Sequence, residues 1–152
     1  SGIASRSTLS VLRGPVHGGV MAIERFNPEG MSQPAAYSHV VRASGGSTVY
    51  LAGQTPIDAA GNVVGEGDFA AQARQVFANI HTALASVGAD FSHLVRTTTY
   101  IVNYTPELRE ALGAARAEAF GDIKPASTLL GVQALANPAY LIEIEGIAVL
   151  PD

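Results

Sequence analysis

The chain has 152 residues, enough for one domain with a substantial core. Apolar residues make up 47% and charged residues 14%, which excludes a disordered chain, and a net charge of -4 with no basic run disfavours nucleic acid as a partner. Cysteine is absent, so disulfides, a thiolate nucleophile and zinc–thiolate sites are ruled out.

Residues 1–25 read as a disordered tail, an added stretch or a natural extension, ahead of a single domain over 26–152. The stretches 1–8 and 16–19 are small, polar and Gly-rich, with no sustained period. The segments of a secretory signal are not arranged in order, and no apolar run reaches membrane-spanning length. The default expectation is a cytoplasmic protein with no membrane partner. His17, His39, His81 and His93 show no metal-ligand spacing, so no metal is expected.

Asn27-Pro-Glu-Gly30 is a turn signal. A short strand is predicted over 37–43 and a second over 48–52. The Ser44-Gly-Gly-Ser47 connection makes them read as a hairpin. Gly53 ends the second strand and permits close approach by a neighbour or a ligand. Phe69, Ala73, Val76, Phe77, Ile80, Leu84 and Val87 recur at three- and four-residue spacing, which predicts a helix over 69–87. Asp68 suits its N-cap and Gly88 its C-terminal end. Gln72, Arg74, Gln75, Asn79 and His81 lie off that stripe and read as solvated.

A strand over 94–103 carries Val95, Thr97, Thr99 and Ile101 on one face and Leu94, Arg96, Thr98, Tyr100 and Val102 on the other. Neither face is clearly polar, so both should be covered. Helices can cover one, which leaves the other for a second subunit. Thr105-Pro-Glu opens a second helix, with Leu108, Ala111, Leu112, Ala115 and Ala119 as its apolar stripe and Gly121 at its end. A short strand follows over 127–130. Ser127 has no base near it in sequence, so a hydroxyl bonded to backbone is its expected state.

The final strand, 140–150, is the most informative. Tyr140, Ile142, Ile144, Ala148 and Leu150 form a core face. Leu141, Glu143, Glu145, Ile147 and Val149 form the other, which sets two carboxylates roughly 7 Å apart among apolar neighbours. Carboxylates there are costly to bury unless paired or used. Pairing with Arg96 or Lys124 is one reading, and positioning a water or a proton at a cleft is the other. The order is β-β-α-β-α-β-β, an α+β domain with a mixed sheet and two helices packed on one face. No phosphate loop, dinucleotide fingerprint or nucleophile elbow is present.

Four segments in register resemble the YjgF/RidA family: Val49-Tyr-Leu-Ala-Gly-Gln-Thr-Pro-Ile-Asp58, Ala71-Gln-Ala-Arg-Gln75 with Asn79-Ile80, Val95-Arg-Thr-Thr-Thr-Tyr100, and Ile142-Glu-Ile-Glu-Gly-Ile-Ala148. The match runs over about 26–150. The resemblance implies a chorismate-mutase-like fold and a homotrimer with clefts between subunits. It also implies hydrolysis of reactive enamines and imines to a carbonyl compound and ammonia, with no cofactor. By motif, the catalytic Glu becomes Glu143, and the substrate-binding Tyr and Gly become Tyr37 and Gly53. Same-face geometry leaves open whether Glu143 or Glu145 is the active carboxylate.

The family's carboxylate-clamping Arg sits in a Pro-Ala-Arg motif, and here that motif reads Pro125-Ala126-Ser127. A hydroxyl cannot offer two parallel charged donors. Losing such a clamp costs about 2–4 kcal/mol for a carboxylate ligand. The expected substrate therefore differs from 2-imino acids, or another cation, Arg42 or Arg96, holds it. The alternative is a non-catalytic small-metabolite-binding trimer. A ribonuclease or translation inhibitor is disfavoured by the acidic charge.

Overall fold

The structure, a computed structural model, describes the backbone of residues 8–16 and 19–152 and side chains from Met21 onward. Its elements are β1 (Thr8–Val16), β2 (Gly19–Phe26), β3 (Val40–Ser44), β4 (Ser47–Gln54), α1 (Phe69–Ala85), β5 (Leu94–Val102), α2 (Pro106–Phe120), β6 (Ala126–Val132) and β7 (Ile142–Leu150). A short 3-10 turn, Phe91–His93, precedes β5. One sheet has the order β1-β2-β3, and the other has the order β4-β7-β5-β6. The β5–β6 pair is parallel and spans the α2 crossover, while β7 runs antiparallel to both β4 and β5.

The α+β class and the two-helix layer agree with the sequence. The stripe of α1 is buried as expected over Phe69, Ala73, Val76, Phe77, Ile80 and Leu84. It meets Leu112, Ala115 and Phe120 of α2, and Leu94, Ile101, Ile142, Ile144 and Ala148 of the sheet, in one apolar cluster. Phe77 and Phe120 stack edge-on at 5.3 Å. The Asp68 carboxylate accepts from the Ala71 amide at 3.1 Å, which satisfies one donor of the first helical turn. At α2 the Thr105 hydroxyl makes no such bond. Val87 lies beyond the end of α1 and is exposed.

Four expectations differ from what the structure places there. The first concerns the stretch 1–25, expected as a tail. Residues 8–16 and 19–26 form antiparallel strands, while 1–7 and 17–18 lie outside the described residues. The end of β2 alternates strictly, with Met21, Ile23 and Arg25 buried. Met21 and Ile23 join Val149 in a second apolar cluster on the face of β7 away from the helices. Arg25 at a core position disguises the alternation.

Second, β3 and β4 are not paired as a hairpin. β3 pairs with β2, and β4 pairs with β7. Gly45 and Gly46, with φ of 69° and 71°, hand the chain from one sheet to the other. A Cβ on Gly46 would also collide with the Leu150 carbonyl oxygen. Gly46→Ala is expected to cost about 2–3 kcal/mol in chemical unfolding, from the left-handed backbone and the displaced Leu150. A loss under about 0.5 kcal/mol would mean the two sheets are joined more loosely than drawn.

Third, the polar side of α1 is only partly solvated. Arg74 and His81 are exposed, but Gln72 is fully buried and Gln75 and Asn79 are half-buried. The Asn79 amide donates to the Thr55 and Ile57 carbonyls at 3.0 and 2.9 Å, which ties down the loop after β4. Buried backbone carbonyls need donors, and these side chains supply them. Fourth, a register shift between Leu94 and Arg96 turns Leu94 into the helix-side core and Val95 toward the Met21 cluster. Thr97 and Thr99 keep the helix-facing side.

Candidate functional site

A cavity of about 380 Å³ opens between α2 and the β5–β6 part of the sheet. Its floor alternates correctly for strands: Thr97 and Thr99 of β5, Ser127 and Leu129 of β6, and Ile144 of β7 all point to it. Thr97 and Ser127 are register partners, and their hydroxyl oxygens lie 3.2 Å apart. One wall is a stripe of α2, with Arg109, Leu112, Gly113, Arg116 and Phe120 at helical spacing.

The opposite wall is the segment Ala36–Tyr37. It is pinned from both sides. The Ser38 amide donates to the Pro125 carbonyl at 3.1 Å and the Ser38 hydroxyl to the Lys124 carbonyl at 2.7 Å. The Arg116 guanidinium donates to the Ala36 carbonyl. Arg116 is half-buried, and that desolvation pulls its pKa below the ordinary arginine value. Among the described residues no carboxylate pairs with it.

The other face of the sheet carries a second constellation. Glu143 and Glu145 project there, beside Tyr100 of β5. The Tyr100 hydroxyl donates to the Glu145 carboxylate at 2.6 Å, and this bond, followed by desolvation and the charges of Glu145 and Glu143, raises the Tyr100 pKa. Arg96, expected as a partner for these carboxylates, instead donates to the Thr128 hydroxyl at 2.9 Å. Neither Arg96 nor Lys124 forms an ion pair with either Glu among the described residues. Arg42 is engaged on β3, where it pairs with Glu24 at 2.7 Å.

Glu143 differs from Glu145. Its carboxylate has no hydrogen bond or ion pair among the described residues, and it lies across Gly53. A Cβ at Gly53 would sit 2.8 Å from both Cδ and Oε2 of Glu143. Gly53 falls where the β4–β7 register breaks between Leu51 and Gln54. Glycine at that break leaves the volume the carboxylate occupies.

The four residues singled out from the sequence therefore fall into two pairs. Tyr37 and Ser127 share the cavity under α2. Gly53 and Glu143 share the opposite face, because Glu143 is the strand neighbour of the cavity-lining Ile144. One chain does not bring the pairs together. Sequence reasoning missed Arg109 and Arg116. The available signal was their position at minus three and plus four from Leu112, on the same helical stripe. No cluster of metal-ligating side chains occurs among the described residues, and no helix there is long and apolar enough to cross a membrane.

A family model described as endoribonuclease L-PSP matches residues 30–150. Protein DfrA of Myxococcus xanthus is 34% identical over 113 residues, covering 74% of this chain and 84% of its own. The 2-iminobutanoate/2-iminopropanoate deaminase of Dermatophagoides farinae is 32% identical over 114 residues, covering 75% and 85%. Among solved structures, the Rid-family protein YyfB from Yersinia pestis superposes with a TM-score of 0.80 at 40% identity, covering 84% of this chain and 98% of its own.

Proposed function

Because the chain belongs to the YjgF/RidA family, we propose that it hydrolyses a small reactive imine or enamine to a carbonyl compound and ammonia, in clefts between the subunits of a homotrimer. The observation that carries this reading is the Glu143 carboxylate, unpaired among the described residues and seated over Gly53 on the sheet face opposite Tyr37 and Ser127. A cleft that unites the two pairs needs Glu143 and Gly53 from one subunit and Tyr37 and Ser127 from its neighbour. That is the arrangement a ring of copies provides.

In this mechanism Glu143 accepts a proton from water as the water oxygen bonds to the C=N carbon. Glu143 passes that proton to the nitrogen, giving the carbinolamine. Glu143 then takes the carbinolamine hydroxyl proton and delivers it to the nitrogen as the C–N bond breaks, so that ammonia leaves as the carbonyl forms. An enamine enters the same path once its carbon takes a proton to give the imine. Tyr37 and Ser127 contact substrate through their hydroxyls. Glu145, engaged by Tyr100, is left out of the chemistry.

Ammonia release from freshly generated 2-iminobutanoate tests this reading. Glu143→Gln is expected to lower turnover by about 10²- to 10⁴-fold, since the amide keeps the shape and loses the base. Unchanged turnover removes Glu143 from the mechanism. Ser127 in the place of the family's Arg favours one other reading, a trimer that binds a small metabolite without turning it over. Saturable binding with no ammonia release would select it. The acidic chain gives no support to ribonuclease activity.

A further inference from the structure

The cavity under α2 is short of one thing that the proposed chemistry needs if its substrate is an acid: a cation on the floor, where Ser127 stands. A cation is present on the wall. Arg116 is half-buried, lines the cavity, and has one backbone carbonyl as its described partner. A guanidinium carries five donors in a planar fork and suits two parallel bonds to a carboxylate. A charge drawn out of water without a counter-charge is unfavourable unless an anion joins it. Arg109, two helical turns earlier on the same stripe and exposed, stands at the mouth.

We propose that Arg116 is the carboxylate seat of this cavity, with Arg109 drawing anions to its entrance, so that α2 supplies the cation that Ser127 does not. For its substrate class this rests on the hydrolysis reading above. The rest of the lining selects the body of the ligand. Phe77, Leu112, Phe120, Leu129 and Ile144 give it an apolar lining, while Thr97 and Ser127 offer hydroxyls on the floor. The volume, about 380 Å³, is small for a ligand pocket. Those features fit a short aliphatic 2-imino or 2-oxo acid. Gly113 sits on the wall between the two arginines, and a Cβ there would meet nothing within 4 Å. The space beside Arg116 is open at the point where such a ligand would lie.

The same residue could be no more than a tether for the Ala36 carbonyl, so the test must separate the roles. The probes are 2-oxobutanoate, the stable product of 2-iminobutanoate hydrolysis, and 2-oxobutanamide, its uncharged counterpart. Binding is read by calorimetry or amide chemical shifts. Wild type is expected to bind the acid at least about 30-fold more tightly than the amide, the value of one charge-assisted bidentate contact. Arg116→Gln should remove that preference, and Arg116→Lys should restore part of it. Gly113→Leu should abolish binding of both probes while melting no lower than wild type, since it replaces a helical glycine and fills open space. If Arg116→Gln fails to fold, the acid-to-amide ratio in Arg116→Lys decides, and a ratio unchanged from wild type in either variant overturns the proposal.

Equal affinity for acid and amide overturns the proposal. So does acid binding that survives Gly113→Leu, or the absence of acid binding in wild type. The titration does not depend on turnover. A protein that binds the acid through Arg116 and releases no ammonia keeps the seat and loses the hydrolysis reading. One that hydrolyses neutral imines and ignores the acid does the reverse.

Discussion

Gln72→Leu is expected to destabilise the protein by about 3–6 kcal/mol. The Gln72 amide nitrogen donates to the Gly65 carbonyl at 3.2 Å and the Ala139 carbonyl at 2.9 Å, and its oxygen accepts from the Leu141 amide at 2.8 Å. The side chain is fully buried on the first turn of α1. Leucine keeps the bulk and strands the Ala139 carbonyl and the Leu141 amide, at about 1–3 kcal/mol each, and removes one of the two donors to the Gly65 carbonyl, which keeps the Asp68 amide at 2.8 Å. The melting temperature should fall by about 8–20 °C for a chain of this size. Arg74→Ala, on the exposed side of the same helix, should change stability by less than about 0.5 kcal/mol. A Gln72→Leu loss below about 1 kcal/mol would mean that the 65 and 139–141 loops find other donors.

Arg25→Met is the second large effect, about 2–4 kcal/mol. Arg25 is 2% exposed, and one of its nitrogens donates to the Ser92 and Leu94 carbonyls, both at 3.0 Å. Those carbonyls belong to the turn before β5 and to its first residue. The guanidinium therefore ties the β1–β2–β3 sheet to the main sheet across the second apolar cluster. Burial lowers its pKa from the ordinary arginine value, a measure of how far it has left water. Methionine preserves the apolar stem and deletes the donors. Urea unfolding followed by backbone signals in β2 and in β5 separates two outcomes. Loss of stability in both supports the tether, whereas fraying of β2 alone would show that the main sheet does not depend on it.

The readable parts of this chain were those governed by one face meeting one core. The α1 stripe and the alternation of β7 stood out because every core position carries an apolar side chain. The β2 strand was hidden because Arg25 holds a core position, and a buried arginine looks like a solvated one in sequence. Gln72 was missed for the same reason: its partners are carbonyls and an amide from segments far along the chain. The glycine pair at 45–46 fits a hairpin turn, but long-range pairing of β4 with β7 overrides that local preference. At the site, Glu143 over Gly53 and Ser127 beside Tyr37 were each nameable from motifs. That a sheet separates the two pairs follows from strand facing in three dimensions, and Arg116 needed the position of α2 over β6 to gain meaning.

The pairing of β4 has a consequence for how the chain is made. Among the described residues β4 pairs with β7 alone, so Ser47 waits for Leu150. β5 also gains its antiparallel neighbour only from β7. On the ribosome, β1, β2 and β3 can pair soon after they emerge, since their contacts are close in sequence. The main sheet cannot close until residue 150 has left the exit tunnel. Until then α1 and α2 carry apolar stripes with no finished floor beneath them. In that interval the apolar stripes are the kind of surface that chaperones holding exposed apolar segments recognise.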